Sequence, residues 1–167
     1  MDSISQAVKE TSIKSFITDF KQLTKVGLSL SVVFSSVAGY LLGADVVNIW
    51  IVVQLAIGGY LMVGASNAFN QVIEKDTDAL MKRTMDRPLP TGRMSVSSAL
   101  AIAITFTILG IAILYSINEK SALFGAISIF LYTSAYTPLK AVSPLSVFVG
   151  AFPGAIPFML GWVAATN

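Results

Sequence analysis

The 167-residue chain contains no cysteine and no histidine. The first absence excludes a disulfide framework and thiolate metal sites. The second excludes imidazole general bases, histidine-held zinc and axial haem histidines within this sequence. Charge is scarce too: 12% of residues are charged, against about 25% in an ordinary soluble domain. The formal net charge of +2 is too small to point to nucleic acid. What is abundant is apolar character, with 54% hydrophobic residues and a mean hydropathy of +0.75. This composition excludes a disordered tail and argues for a membrane protein.

Charge-free runs cover 26–44, 46–73, 94–118, 121–139 and 141–167. A membrane-spanning helix needs about 20 mostly apolar residues. The runs therefore predict five transmembrane helices, at about 26–44, 47–69, 95–117, 121–137 and 144–165, the fourth being marginal in length. Their apolar residues are continuous rather than alternating, which favours helices over barrel strands. The expected fold class is all-α: a polytopic helix bundle over 26–167, preceded by a segment, 1–25. In that segment Ile13, Phe16, Ile17, Phe20 and Leu23 recur at helical spacing, while Lys14, Thr18 and Lys21 lie elsewhere. This predicts an amphipathic helix lying in the membrane interface. Charges throughout the segment do not fit a signal peptide.

Five spans place the loops 69–95 and 137–144 on the same side as the N-terminus. Of the 11 Lys and Arg residues only Lys120 falls on the other side. Basic residues mark the cytoplasmic face, so the N-terminus and these loops are expected to be cytoplasmic, in a multi-pass protein of the cell's inner (plasma) membrane.

Small residues recur every four positions in the first span (Ser31, Ser35, Gly39, Gly43) and in the fifth (Gly150, Gly154). That spacing lets helix backbones approach closely. Pro153 and Pro157 should bend the fifth helix and free backbone carbonyls. A faint internal echo links Leu30-Ser31-Val32 to Leu145-Ser146-Val147.

The one dense polar region runs from Asn67 to Met94, NAFNQVIEKDTDALMKRTMDRPLPTGRM. Asn70, Glu74 and Asp78 are spaced i, i+4, i+8 and share one face if the second helix continues. Asp76 lies roughly 200° around from Glu74 and should point away. Two carboxylates at this spacing repel, and a divalent cation reverses that cost. Mg²⁺ is often held by one or two carboxylates plus substrate phosphates. Asn70 adds a neutral oxygen or a donor. Arg83 and Arg87 follow, each with a planar fork suited to phosphate oxygens. Pro88 and Pro90 stop any helix and stiffen the loop. The set fits a metal-bound diphosphate whose apolar tail lies in the bilayer.

The stretch NQVIEKDTDALMKRTMDRPLPTGRMS resembles the first aspartate-rich motif of the UbiA-type intramembrane aromatic prenyltransferase superfamily. Asn70, Glu74 and Asp78 match its pattern, with Glu in place of the commoner Asp. The runs Met81–Thr84, Arg87–Pro90, Tyr136–Lys140 and Gly154–Trp162 are similar to its haem-farnesylating branch; Val26 departs from it, standing where that branch usually has Pro. The resemblance covers about Asp19 to the end. It implies a nine-helix bundle with two aspartate-rich motifs. Five of those helices fall in this sequence, and no acidic residue follows Glu119. The chain is therefore expected to be the N-terminal part of a longer enzyme, inactive by itself, with the remaining helices supplied by the rest of that enzyme.

The implied reaction joins the farnesyl chain of farnesyl diphosphate to a vinyl group of haem B, giving haem O for haem–copper oxidase assembly, with Mg²⁺ as cofactor. Carried onto this sequence, Glu74 and Asp78 are metal ligands, Asn70 supports metal or diphosphate, and Arg83, Arg87 and Lys140 bind diphosphate. Tyr132 and Tyr136 are candidates for the cavity wall, although interfacial anchoring suits Tyr136 better. The alternative acceptor is 4-hydroxybenzoate or another quinone precursor. A rival outside the class is a non-catalytic membrane module such as half a transporter.

Overall fold

The computed structural model describes residues 2–166, with side chains from residue 13 onward. The elements are α1 (Asp2–Thr24), α2 (Val26–Gly43), α3 (Ile49–Ile73), the short α4 (Lys75–Leu80), α5 (Val96–Tyr115) and α6 (Glu119–Phe130). A π-helical segment (Leu131–Tyr136), a single turn α7 (Thr137–Leu139) and α8 (Ser146–Thr166) complete the chain. Among the described residues there is no strand.

Helix starts follow from side-chain caps. The Asn48, Ser95 and Asn118 side chains accept the backbone N–H of Trp50, Ser98 and Ser121, at 2.9, 3.1 and 2.7 Å. Each satisfies an N–H that the first helical turn leaves without a partner. The polar punctuation of the charge-free runs thus fixes where α3, α5 and α6 begin.

Five helices are long and apolar enough to cross a membrane: Val26–Gly43, Ile49–Ile73, Val96–Tyr115, Glu119–Leu139 and Ser146–Thr166. They agree with the five predicted spans to within a few residues at most ends. The shortest predicted span is the one broken internally, running through α6, the π segment and α7. Large apolar side chains such as Phe34 and Ile108 are 74% and 63% exposed. In water this would be a liability; on a bundle surrounded by acyl chains it is the solvated state.

The chief helix contacts are α3 on α5 and α2 on α8. α2 and α8 run parallel, in close backbone contact. A Cβ on Gly161 would overlap the Ser36 carbonyl, one on Gly39 would overlap the Phe158 carbonyl, and one on Gly43 would press on Trp162 and Ala165. Gly39 and Gly43 therefore act as predicted. On α8 the glycine at this close approach is Gly161, rather than Gly150 or Gly154. Gly150 abuts the Tyr136 ring, and a Cβ on Gly154 would meet nothing within 4 Å. Ser31 also leaves the stripe, for it is exposed and bonds the Gly27 carbonyl at 3.2 Å. α8 continues as helix through both prolines. The missing proline N–H groups leave the Val149 and Pro153 carbonyls without their usual i+4 donors.

α1 joins α2 at Lys25, a non-glycine residue with φ 47°. The end of α1 is held to α3 by polar bonds. Gln71 donates to the Gln22 and Leu23 carbonyls at 2.9 and 3.0 Å, and Asn67 donates to the Thr24 carbonyl at 3.2 Å. Leu23 is buried; Ile13, Phe16 and Ile17 form an exposed apolar row. The start of the amphipathic segment, through residue 12, lies outside the described side chains.

Candidate functional site

α3 delivers Asn70 to one end of the bundle, where the chain breaks at Glu74 (φ −90°, ψ 7°) before α4. The polar face survives that break. Glu74 N–H still bonds the Asn70 carbonyl at 2.9 Å, and Asp78 N–H bonds the Glu74 carbonyl at 2.7 Å. Asn70 and Asp78 are buried, Glu74 is half-buried, and Asp76 is exposed. The face assignment from spacing therefore holds, although the helix is not continuous.

Each of these groups faces a basic side chain. Arg87 Nη1 donates to Asp78 Oδ2 at 2.5 Å. Lys140 Nζ reaches both Glu74 carboxylate oxygens, at 3.1 and 3.5 Å. Lys25 Nζ donates to Asn70 Oδ1 at 3.5 Å, and Asn70 Nδ2 donates to Thr137 Oγ1 at 3.5 Å. Burial and the neighbouring Arg87 charge lower the Lys25 ammonium from 10.5 to about 8.

The loop after α4 positions Arg87 because its own residues are buried. Thr84 bonds the Asp78 carbonyl at 3.0 Å. Pro88 and Leu89 are buried, and Leu89 packs with Leu23, Ala68, Met94, Ala99 and Ala103. Gly92 supplies the one positive-φ turn of this loop, at 71°. Beyond it Arg93 donates to Asp19 Oδ1 at 2.8 Å, to Gln22 Oε1 at 3.2 Å and to the Asp86 carbonyl at 2.8 Å. That fork ties α1 to the loop. Arg83 stands apart: it is exposed and makes no side-chain hydrogen bond or ion pair among the described residues.

A cavity of about 670 Å³ opens beside this cluster. Its wall includes Leu28 and Val32 of α2, Val63 and Asn67 of α3, Tyr132 and Tyr136, and Gly150, Pro153, Gly154 and Pro157 of α8. Lys140 belongs to the wall and to the Glu74 ion pair at once. The size falls within the about 300–1,000 Å³ typical of ligand pockets. Tyr132 and Tyr136 pack at 5.2 Å between ring centroids. Both line the cavity, so Tyr136 is a wall residue rather than a simple interfacial anchor. π-helical insertions often mark functional positions, and this one carries both tyrosines.

Sequence reasoning did not single out Lys25 as a site residue. Its one visible signal was being the basic residue directly abutting the first span. The Arg93–Asp19 tie was equally hidden, because 74 residues separate the partners.

A metal at this cluster can be tested on the donor set. Among the described residues no three Asp, Glu, His or Cys side chains converge as a self-sufficient cage. Asp78 Oδ1, however, is buried without a hydrogen-bond partner. Two carboxylates and an amide oxygen fit a Mg²⁺ ion that takes its other ligands from phosphate oxygens and water.

The fold and cluster together define an integral membrane helix bundle with a charged polar end opening into an apolar cavity. The sequence pattern of the UbiA prenyltransferase family matches residues 32–167, and the chain belongs to that family. It is 68% identical over 158 residues to a protoheme IX farnesyltransferase of Flavobacterium psychrophilum, covering 93% of this chain and 53% of that protein. It is 69% identical over 153 residues to the protoheme IX farnesyltransferase of Christiangramia forsetii, covering 92% and 51%. The chain thus spans about half the length of these curated relatives. A UbiA homologue from Archaeoglobus fulgidus bound to DMAPP and Mg²⁺ shares the fold, with a TM-score of 0.78 at 22% identity over 89% of this chain and 55% of that one. A digeranylgeranylglyceryl phosphate synthase shares it at a TM-score of 0.83 and 19% identity, over 90% and 54%.

Proposed function

We propose that this chain takes part in transferring a farnesyl group from farnesyl diphosphate to a vinyl group of haem B, giving haem O. The observation that carries the reading is the junction at Lys140: one residue bounds both the acid–base cluster and the apolar cavity. An amphiphile with a diphosphate head and an isoprenoid tail matches that junction in charge and polarity. The naming of the relatives supports haem as the acceptor. The Archaeoglobus structure supports a prenyl diphosphate with a divalent cation.

In this reading Asn70, Glu74 and Asp78 hold Mg²⁺, which supplies charge neutralisation for the departing diphosphate. Arg87 and Lys140 clamp diphosphate oxygens, and Arg83 acts from the exposed rim of the same loop. Tyr132 and Tyr136 present aromatic faces to the allylic carbons, where positive charge develops as the diphosphate leaves. The apolar wall excludes water from that charge. The clustering of Lys and Arg at this end supports a cytoplasmic side of the plasma membrane for the N-terminus and the site. α1 lies in the interface there, and the complete bundle has nine spans.

Haem extraction tests the reading. Cells lacking the gene should lose haem O and haem A while retaining haem B. Unchanged haem O together with loss of a prenylated quinone would replace haem B by a quinone precursor as acceptor. Unchanged levels of both would remove the prenyl-transfer reading.

A further inference from the structure

Three cations, Lys25, Arg87 and Lys140, face two carboxylates, Glu74 and Asp78. With ordinary charges the cluster sums to +1. Both acids are already engaged, and the Asn70 oxygen accepts from Lys25. A free divalent cation approaching this cluster meets resident positive charge at every oxygen except the buried Asp78 Oδ1. A diphosphate meets the opposite situation: three nearby donors, each held by a single group, and an excess of positive charge. Cations bind phosphate oxygens at least as well as carboxylate oxygens, and an arginine fork can take two at once.

We propose that this cluster is an anion-first site, in which the diphosphate binds before the divalent cation. Its oxygens draw Lys25, Arg87 and Lys140 away from Asn70, Asp78 and Glu74. That exchange of partners exposes the carboxylate oxygens to the metal. The inference rests on the prenyl-diphosphate reading above and adds to it an order of binding and a third diphosphate ligand, Lys25. No bond is made or broken in the exchange; only ionic and hydrogen-bond partners change.

The test uses the 167-residue chain in detergent micelles, with radiolabelled inorganic pyrophosphate and Mn²⁺ as separate probes. Dialysis with EDTA should show saturable pyrophosphate binding without metal. Electron paramagnetic resonance of Mn²⁺ alone should show no saturable binding to the wild type. Lys140→Gln should act on the two probes in opposite directions, bringing Mn²⁺ alone into saturable binding and weakening metal-free pyrophosphate by about tenfold. Lys120→Gln, at the other end of the bundle, should change neither. If circular dichroism shows that Lys140→Gln has lost its helicity, Lys25→Gln should give the same opposed pair of shifts.

Pyrophosphate binding that requires Mg²⁺ would overturn the binding order and leave the diphosphate reading standing. So would Mn²⁺ binding alone to the wild type in a manner abolished by Asp78→Asn. Pyrophosphate binding neither with nor without Mg²⁺ would overturn both.

Discussion

Arg83 and Arg87 stand four residues apart, were read from the sequence as equivalent, and meet different fates. Arg87 is bonded to a buried carboxylate, whereas Arg83 points outward. Their side chains are alike in chemistry, but the turns after Met81 carry Arg87 back towards Asp78 and leave Arg83 at the surface. Removing one partner of a buried charged pair leaves the other unsatisfied, at about 1–3 kcal/mol. Arg87→Gln should therefore lower the thermal midpoint of the chain in detergent, and Arg83→Gln should leave it within error. Equal losses would mean that the Asp78 pair contributes nothing. The acids separate similarly. Asp78→Asn should abolish most prenyl transfer by the full-length enzyme while the protein still inserts, and Asp76→Asn, at an exposed position, should preserve it. If Asp76→Asn proves as damaging, the face assignment is wrong. Asn70, Glu74, Asp78 and Arg87 were legible because the first three are local and Arg87 belongs to a stiff, proline-bearing run. Lys140 is legible through the family resemblance and Lys25 is not; they reach the cluster from 66 and 45 residues away, and only the packing of α2 and α7 on α3 sets those distances.

At the scale of the helix, hydrophobic run length located all five spans, and polar caps explain their starts. The contacts between spans were legible only in part. Four-residue spacing found Gly39 and Gly43 on α2 but named the wrong glycines on α8. A stripe of small residues looks the same whether it meets a helix backbone, an aromatic ring or a cavity. Gly161 has no glycine four residues away, and its small partner at that spacing is Ala165. The structure assigns it the tightest approach. Gly161→Ala would place a methyl on the Ser36 carbonyl, and overpacking of this kind costs about 1–3 kcal/mol or more. Gly154→Ala, with open space before it, should be neutral or slightly stabilising. Thermal unfolding of the two variants in the same detergent checks this order. The reverse order would contradict the α2–α8 packing.

For the whole molecule, charge asymmetry and cavity position make one account. Nearly all Lys and Arg residues fall in the segments at the end that holds Asn70, Glu74 and Asp78, so the feature that carries the proposed orientation also builds the polar site. A reporter fused after Asn118 should lie outside the cytoplasm, and one fused after Met94 should lie within it. The cavity was not legible in the sequence, because its wall combines residues from α2, α3, the π segment and α8 that share no local pattern. The central claim is that a prenyl diphosphate lies with its head at this cluster and its tail in this cavity. Photolabelling with a farnesyl diphosphate analogue bearing a benzophenone at its tail tests that placement most directly. The account predicts adducts on cavity-wall peptides around Val32, Val63, Tyr132 and Gly150, suppressed by excess farnesyl diphosphate. Adducts spread over the outward faces around Phe34 and Ile108, or unaffected by that competitor, would contradict it.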